Sequence, residues 1–192
     1  MYIVDLLTFH VENLTPGVTW VSTYSSPSWS PRGDQLAFEK FGNAGERHQV
    51  VTMVLATKSV DILTDGWFPS WSPDGTKIAF VEANGVSVYT FDVRSRERRL
   101  VWNSLLGSLL NDEIIAAPVW APSSLGILLN KTSGIKGDGR EIHYLDFSSG
   151  SASRITYNSA FEVVEWVPEQ RTDEPAPQAG KVGKEMQAES IW

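Results

Sequence analysis

The chain has 192 residues, 42% of them hydrophobic, a formal net charge of −7 and no cysteine. This length suits one domain with a core of ordinary size. The acidic balance argues against a protein that binds nucleic-acid phosphates, which needs a basic surface. The lack of cysteine excludes disulfides, thiolate chemistry and cysteine-based zinc sites.

The first residues carry no secretory signal, and no apolar run is long enough to span a membrane. As written, the protein is therefore expected in the cytoplasm. A periplasmic or secreted location is the alternative if the chain is a fragment of a longer one.

Two strands are predicted at the start, over residues 2–8 and 11–15, because both segments are rich in β-branched and aromatic residues. The same pattern of paired segments recurs later: 50–55 with 59–64, and 142–147 with 152–156. Each later pair closes a longer unit. The first fifteen residues therefore predict the second half of such a unit.

Three longer units follow, at about 24–64, 67–102 and 117–156. In the second unit, strands are predicted over 77–81 and 86–91. The dipeptide Asn84-Gly85 between them favours a two-residue type I′ hairpin turn, in which both residues have positive φ.

The remaining segments are irregular. The link 103–117 is long and apolar, with leucine pairs at helical spacing, so a short helix and a packing loop both remain open, and the loop is favoured. A last strand is predicted over 162–167. Residues 169–192 are rich in Pro, Gln, Glu, Lys and Ala, which predicts a disordered tail.

One motif unites the units: a tryptophan in a short polar strand, then a turn, then an apolar strand. Trp29, Trp71, Trp120 and Trp166 stand 42, 49 and 46 residues apart. A repeat near this length, built from strands and turns, is typical of propeller blades. The sequence predicts an all-β fold with blades of four antiparallel strands and a partial propeller: half a blade over 1–15, three blades and one further strand.

Each part of the motif has a physical role. The tryptophan ring is expected to pack between neighbouring blades, where it buries a large apolar area. Pro73-Asp74-Gly75 is turn chemistry, since proline sets φ, aspartate bonds to the backbone and glycine accepts positive φ. Ile78 and Phe80 face one way in the following strand, and the small Ala79 between them lets the adjacent sheet approach.

The run Trp71-Ser72-Pro73-Asp74-Gly75, followed by Ile78-Ala79-Phe80, resembles the WD-repeat-like blade of TolB-like proteins and of prolyl oligopeptidase propellers. The third unit departs, with Ala121 for serine and Ser123-Ser124-Leu125 in place of Asp-Gly. Such propellers usually close at six or seven blades. The resemblance therefore implies either a piece of a larger propeller, which is favoured, or an assembly that covers its exposed sheet edges with a partner.

No residue pattern indicates catalysis. There is no Gly-x-Ser-x-Gly, and His10, His48 and His143 have no ligand at metal-binding spacing, so they are expected to be structural or solvated. The basic cluster Arg94, Arg96, Arg98 and Arg99 is interpreted as a solvated strand edge. The sequence therefore predicts a protein that is not an enzyme and needs no cofactor or metal.

In propellers of this kind, the loops between blades share one face with the hairpin loops that join second and third strands. The resemblance implies that this face carries Phe41, Arg47, Trp67, Lys136, Asp138 and Arg140. Mixed aromatic and charged residues on loops suit protein recognition. Trp67 and its neighbour Phe68 could instead be buried at the blade junction, and this alternative is favoured for Phe68.

The leading hypothesis is a non-catalytic scaffold or interaction module that binds a protein or peptide, with no nucleic-acid partner. The alternative is the propeller of a serine peptidase or related hydrolase whose catalytic domain is absent. A lectin-like propeller lacks supporting residues.

Overall fold

A computed structural model describes residues 1–16, 24–41, 47–83, 85–103, 117–133 and 139–156. Across these residues the chain forms strands and turns and no helix. The strands are β1 (Tyr2–Val4), β2 (Val11–Asn13), β3 (Tyr24–Trp29), β4 (Gln35–Lys40), β5 (Gln49–Val54), β6 (Val60–Asp65), β7 (Trp67–Trp71), β8 (Lys77–Val81), β9 (Ser87–Asp92), β10 (Arg98–Asn103), β11 (Val119–Trp120), β12 (Gly126–Ser133), β13 (Gly139–Asp146) and β14 (Ser151–Arg154).

The strands form three four-stranded antiparallel sheets, each paired in chain order. Blade one is β3–β6, blade two is β7–β10 and blade three is β11–β14. The half-blade is the separate two-stranded sheet of β1 and β2. The predicted all-β fold of four-stranded antiparallel blades is confirmed.

The first strand is shorter than predicted, because a side chain takes the backbone N–H groups that a longer strand would use. The first strand ends at Val4 rather than residue 8, because the Asp5 carboxylate accepts the N–H groups of Leu7 and Thr8, both at 2.8 Å. Phe9 then turns the chain with φ 57°. Over residues 5–8 these local hydrogen bonds take the place of backbone hydrogen bonds to a neighbouring strand.

The hairpin between β8 and β9 corrects a second prediction. The Gly85 N–H donates to the Glu82 carbonyl at 2.9 Å, so the turn closes one residue earlier than a type I′ turn centred on Asn84-Gly85. Gly85 has φ +74° and follows the turn as a left-handed residue. The glycine is needed as predicted, but it ends a longer loop.

The core lies between the sheets. Trp71 shares the cluster between blades one and two with Ala37, Ile78 and Phe80. The corresponding cluster between blades two and three contains Trp120 and Ala79. The predicted packing of tryptophan rings between neighbouring blades is thus confirmed for these two junctions, where each buried ring excludes water.

Trp29 is the exception to this pattern. Its exposed fraction is 50%, against 7% for Trp71 and 6% for Trp120. The half-blade packs on blade one through Ile3 and Leu14, which share a cluster with Phe38. It has no first or second strand in the described chain to cover Trp29.

Several predictions fall outside the described residues: the helix or loop over 104–116, the last strand at 162–167 and the tail at 169–192. No helix suited to crossing a membrane is present in the part of the chain that the structure describes.

Candidate functional site

The antiparallel order brings a set of loops to one face of the blades. In blade one, β4 runs toward this face and ends before Phe41, and β5 starts from it after His48. The joint between β6 and β7 returns to the same face at Gly66. This loop face is where the sequence predicts partner binding.

Three aromatic side chains form a continuous run on the loop face. The ring centroids of Phe41 and His48 lie 4.3 Å apart, and those of His48 and Trp67 lie 5.2 Å apart, both edge-to-face. Phe68 extends the run at 6.4 Å from Trp67. Edge-to-face contacts fix the ring orientations, so the run presents a defined aromatic surface.

A buried carboxylate holds this run from below. Glu39 is buried in β4, and its Oε1 lies 2.6 Å from His48 Nδ1. The Ser25 hydroxyl donates to the other carboxylate oxygen at 3.2 Å. Since buried polar groups must be paired, the contact orients the His48 ring toward the aromatic run.

His48 and Glu39 were not predicted as site residues. A signal was present in the repeat, because Glu39 stands ten residues after Trp29 and the hydrophobic Val81 stands ten residues after Trp71. When only one repeat unit has a charged side chain at a core position, that side chain is expected to pair with a nearby polar group.

Arg47 lies beside the run and reaches Asp65 at the end of β6, with the Arg47 Nη1 and Asp65 Oδ2 atoms 3.0 Å apart. The Arg47 side chain is 78% exposed. Exposed ion pairs contribute little to stability, about 0 to 1 kcal/mol. Arg47 can therefore leave Asp65 and bind an acidic group of a partner molecule at a small cost in free energy.

Gly66 links β6 of blade one to β7 of blade two, and its backbone lies unusually close to β8. Its φ is +150°, and a Cβ there would lie 2.6 Å from the Val81 carbonyl oxygen and 2.7 Å from the Phe80 ring. The Gly66 N–H also donates to the His48 carbonyl at 2.9 Å. Only glycine lets the chain place Trp67 beside His48 in this way.

The structure thus brings Phe41, Arg47 and Trp67 together. Trp67 and Phe68 are both half-buried and pack against the cluster between blades two and three, so the junction holds part of each ring. Lys136, Asp138 and the side chain of Arg140 lie outside the described residues.

The other histidines lie away from the aromatic run. His143 Nε2 lies 2.9 Å from Glu141 Oε2, and Arg154 pairs with the same carboxylate at 3.1 Å. His10 is exposed. Within the described ranges, no three His, Asp or Glu side chains gather in a way that could hold a metal ion.

Two of the four arginines in the basic cluster form ion pairs. Arg96 pairs with Asp61 of blade one at 2.6 Å. Arg98 pairs with Glu82 at 2.7 Å, and its guanidinium lies 4.3 Å from the centre of the Tyr89 ring. These contacts support the interpretation of a solvated strand edge.

Four-stranded antiparallel sheets, stacked face to face through tryptophan seams, define the class: a β-propeller. TolB from Acinetobacter baumannii is similar in structure, with a TM-score of 0.63, 22% identity, and 83% of this chain and 38% of that chain covered. The β-propeller domain of the trilobed protease from Pyrococcus furiosus has a TM-score of 0.54 and 19% identity, with 71% and 43% covered.

An oligogalacturonate lyase in complex with manganese is also similar, with a TM-score of 0.57, 15% identity, and 80% and 46% covered. No protein-family model and no curated protein sequence matches the chain. At these identities the likeness shows a TolB-like propeller fold. The chain spans less than half the length of these three structures.

Proposed function

We propose that this chain is a non-catalytic propeller module that binds a protein or peptide through the loop face of blades one and two. The observation that carries the proposal is the aromatic run of Phe41, His48 and Trp67, fixed by buried Glu39 and bordered by exposed Arg47.

The composition of the loop face suits a protein partner. Aromatic and arginine side chains contribute most of the binding energy at protein interfaces, because they bury a large area with few rotatable bonds or make directed hydrogen bonds. Blade packing already holds the Trp67 ring, so ordering it on binding costs little entropy.

The chain offers a matched control on the opposite face. Arg32 is 80% exposed and pairs with Asp34 at 3.3 Å, as Arg47 pairs with Asp65. Arg32 lies in the turn between β3 and β4, at the other end of the strands. An alanine at either arginine removes one exposed ion pair, and only Arg47 touches the proposed site.

The experiment compares cross-linked partners of the wild type, Phe41→Ala, Arg47→Ala and Arg32→Ala by quantitative mass spectrometry. We expect specific partners that are lost at least tenfold in the first two variants and retained in Arg32→Ala. Circular dichroism checks the fold of each. If folded Phe41→Ala and Arg47→Ala keep every partner of the wild type, the proposal is wrong.

A second candidate function has one observation in its favour, the likeness to a protease propeller domain. In this alternative the blades control access to a hydrolase domain outside this sequence. The test is the genomic reading frame: a hydrolase domain encoded in frame with these blades supports it, and its absence from the gene overturns it.

A further inference from the structure

We infer that the cleft between blades two and three binds a small carboxylic acid with an aromatic body, and that Arg99 holds its carboxylate. The residues that line this cleft are distinct from those of the loop face, so the inference is independent of the proposed function.

The cleft contains a cavity of about 440 Å³ between the facing sides of the two blades. Trp102 of blade two and Leu145 and Phe147 of blade three form its apolar walls. The Phe147 ring packs edge-to-face on buried Trp120, with the ring centroids 5.7 Å apart, so this wall is held in place. Cavities of this size, with apolar walls and a few polar groups, are the usual sites of small organic ligands.

The corresponding space between blades one and two is occupied by two arginine side chains of blade two. Arg96 Nη1 lies 2.6 Å from Asp61 Oδ2 of blade one. Arg98 Nη1 lies 3.4 Å from Thr64 Oγ1 of blade one, and its guanidinium lies 4.3 Å from the centre of the Tyr89 ring. The two arginines therefore bridge the first cleft.

Blade three has small residues at the same two positions. The turns after β9 and β13 correspond, since Asp92 and Asp146 each accept the N–H groups of the residues two and three positions later. Gly150 therefore stands where blade two has Arg96, and Ala152 stands where blade two has the next of its two bridging arginines. Both small residues line the cavity, which thus takes the place of two long side chains.

The charge at the second cleft is also reversed. Asp61 of blade one and Arg99 of blade two each lie three residues after the turn residue with positive φ, so they hold equivalent positions. Arg99 is exposed and lines the cavity. Among the described residues, no carboxylate pairs with its side chain. The position that supplies an acid to the first cleft therefore supplies an unpaired cation to the second.

The other charged residues on the lining have contacts of their own. The Asp146 carboxylate accepts the N–H and the hydroxyl of Ser148 at 2.8 and 2.6 Å, so its charge is directed into its own turn. The Lys77 ammonium donates to the Thr76 hydroxyl at 3.2 Å and lies close enough to Asp92 to interact with its charge. Arg99 is therefore the cation that is available to a ligand.

A ligand that fits this cleft must bring both an anion and an apolar body. The Arg99 guanidinium presents parallel N–H donors that match the two oxygens of a carboxylate. The Trp102 and Phe147 rings on the walls favour a flat ring between them. Leu100 and Leu125, 46% and 56% exposed on the lining, add apolar surface that the ligand covers. These features together select an aromatic carboxylic acid.

The test measures the binding of benzoate, 2-naphthoate and indole-3-acetate by isothermal titration calorimetry, each beside the neutral alcohol with the same ring system. We expect at least one acid to bind with a Kd of about 10 μM to 1 mM, and about tenfold more tightly than its alcohol. The indole N–H signal of Trp102, assigned in an NMR spectrum with Trp102→Phe, should shift as that acid is added.

The first variant removes only the charge of Arg99. Arg99→Gln should weaken binding of the acid about tenfold and leave the alcohol unaffected, because only the acid uses the guanidinium. Arg94→Gln is the matched control: Arg94 belongs to the same basic cluster and is exposed, but it does not line the cavity. It should bind the acid as the wild type does.

The second variant builds the ion pair of the first cleft into the second, with Arg99→Asp and Gly150→Arg in one chain. The fold accepts an arginine there, since Gly150 has φ +69°, Arg96 has φ 62° at the equivalent position, and a Cβ on Gly150 would meet nothing within 4 Å. This double variant should stay folded by circular dichroism and bind neither acid nor alcohol.

Four results would each overturn the inference. They are no binding of any of the three acids below about 5 mM, an unchanged Trp102 signal on binding, wild-type affinity for the acid in Arg99→Gln, and continued binding by the folded double variant.

Discussion

Glu39 and Val81 stand at the same position of blades one and two, and both are buried. Val81 packs in an apolar cluster, whereas Glu39 pairs with His48 and Ser25. A buried carboxylate with its polar partners often stabilises no more than apolar residues of similar size. The carboxylate is therefore better explained by the orientation of His48 than by stability.

Glu39→Val tests this explanation. We expect the free energy of unfolding in urea to fall by about 1 to 3 kcal/mol, because the Ser25 hydroxyl and His48 Nδ1 lose their acceptor. Partner capture should fall as in Phe41→Ala, since His48 loses its acceptor. Glu39→Gln keeps a hydrogen-bonding side chain and should retain more binding. A loss of stability well beyond this value in Glu39→Val would contradict the argument.

The tryptophans at equivalent positions differ in their polar contacts. Trp120 Nε1 donates to the Ser70 carbonyl at 2.9 Å, while Trp71 Nε1 is buried with no partner in the described structure. Trp120→Phe should therefore destabilise the fold by about 1 kcal/mol more than Trp71→Phe, because only the first loses a hydrogen bond. Thermal and urea unfolding measure both, and equal losses would refute the distinction.

At the scale of elements, the turns repeat more faithfully than the strands. The turn between first and second strands places Gly33, Gly75 and Ser124 at φ 60 to 70°. Ser124 replaces the glycine in blade three, and its hydroxyl accepts the Asp74 N–H of blade two at 3.1 Å. The departure from the motif thus keeps the turn and adds a bond between blades.

Alanine substitutions at Gly66 and Gly33 should lower the free energy of unfolding by different amounts. Gly66→Ala should destabilise the protein by about 2 to 4 kcal/mol, since the new Cβ meets the Val81 backbone as well as an unfavourable φ. Gly33 also has positive φ, but its Cβ would meet nothing within 4 Å. Gly33→Ala should cost about 1 kcal/mol by chemical denaturation. A reversed order would contradict the assigned close approach.

The aspartate turns predict acid sensitivity. The Thr8 N–H bond lowers the pKa of Asp5, the Ser95 N–H bond that of Asp92 and the Ser148 hydroxyl that of Asp146. Burial raises the pKa of Asp74, but hydrogen bonds from Ser72 and Thr76 outweigh it and lower the pKa.

A lowered folded-state pKa means stability that is present above the unfolded value, about 3.9, and is lost as pH falls through the folded value. Melting temperature should therefore hold between pH 5 and 6 and fall below about pH 4. The triple change Asp5→Asn, Asp92→Asn and Asp146→Asn should flatten this fall, because asparagine keeps the turn acceptor. An unchanged profile would rule these turns out as the source.

For the molecule as a whole, inner strands hold the blades together. The Trp71 N–H donates to the Ser28 hydroxyl of blade one at 3.0 Å, and Trp120 bonds to Ser70 of blade two. The half-blade has only its outer strands and no such contact in the described structure. It is attached to blade one by the apolar cluster around Leu14 and by an ion pair between Lys58 and Glu12 at 2.8 Å.

The half-blade should consequently be the least protected sheet in dilute protein. Two-stranded sheets are marginal alone, and regions with few buried contacts open first. Hydrogen exchange followed by mass spectrometry should show β1 and β2 exchanging faster than β4, β5 and β8. Equal protection of all sheets at low concentration would contradict this order.

The sequence by itself determined the blades. Tryptophan spacing, turn residues such as Pro73-Asp74-Gly75 and the apolar strand with Ala79 act over a few residues, so their effect can be read locally. Part of the loop face followed from the resemblance, and Phe41, Arg47 and Trp67 do lie together. Only the tertiary structure added Glu39 and His48, because their contact joins β4 to the residue before β5 and depends on burial. Likewise the exposure of Trp29 depends on what packs against it, whereas Trp29, Trp71 and Trp120 stand in similar local sequences.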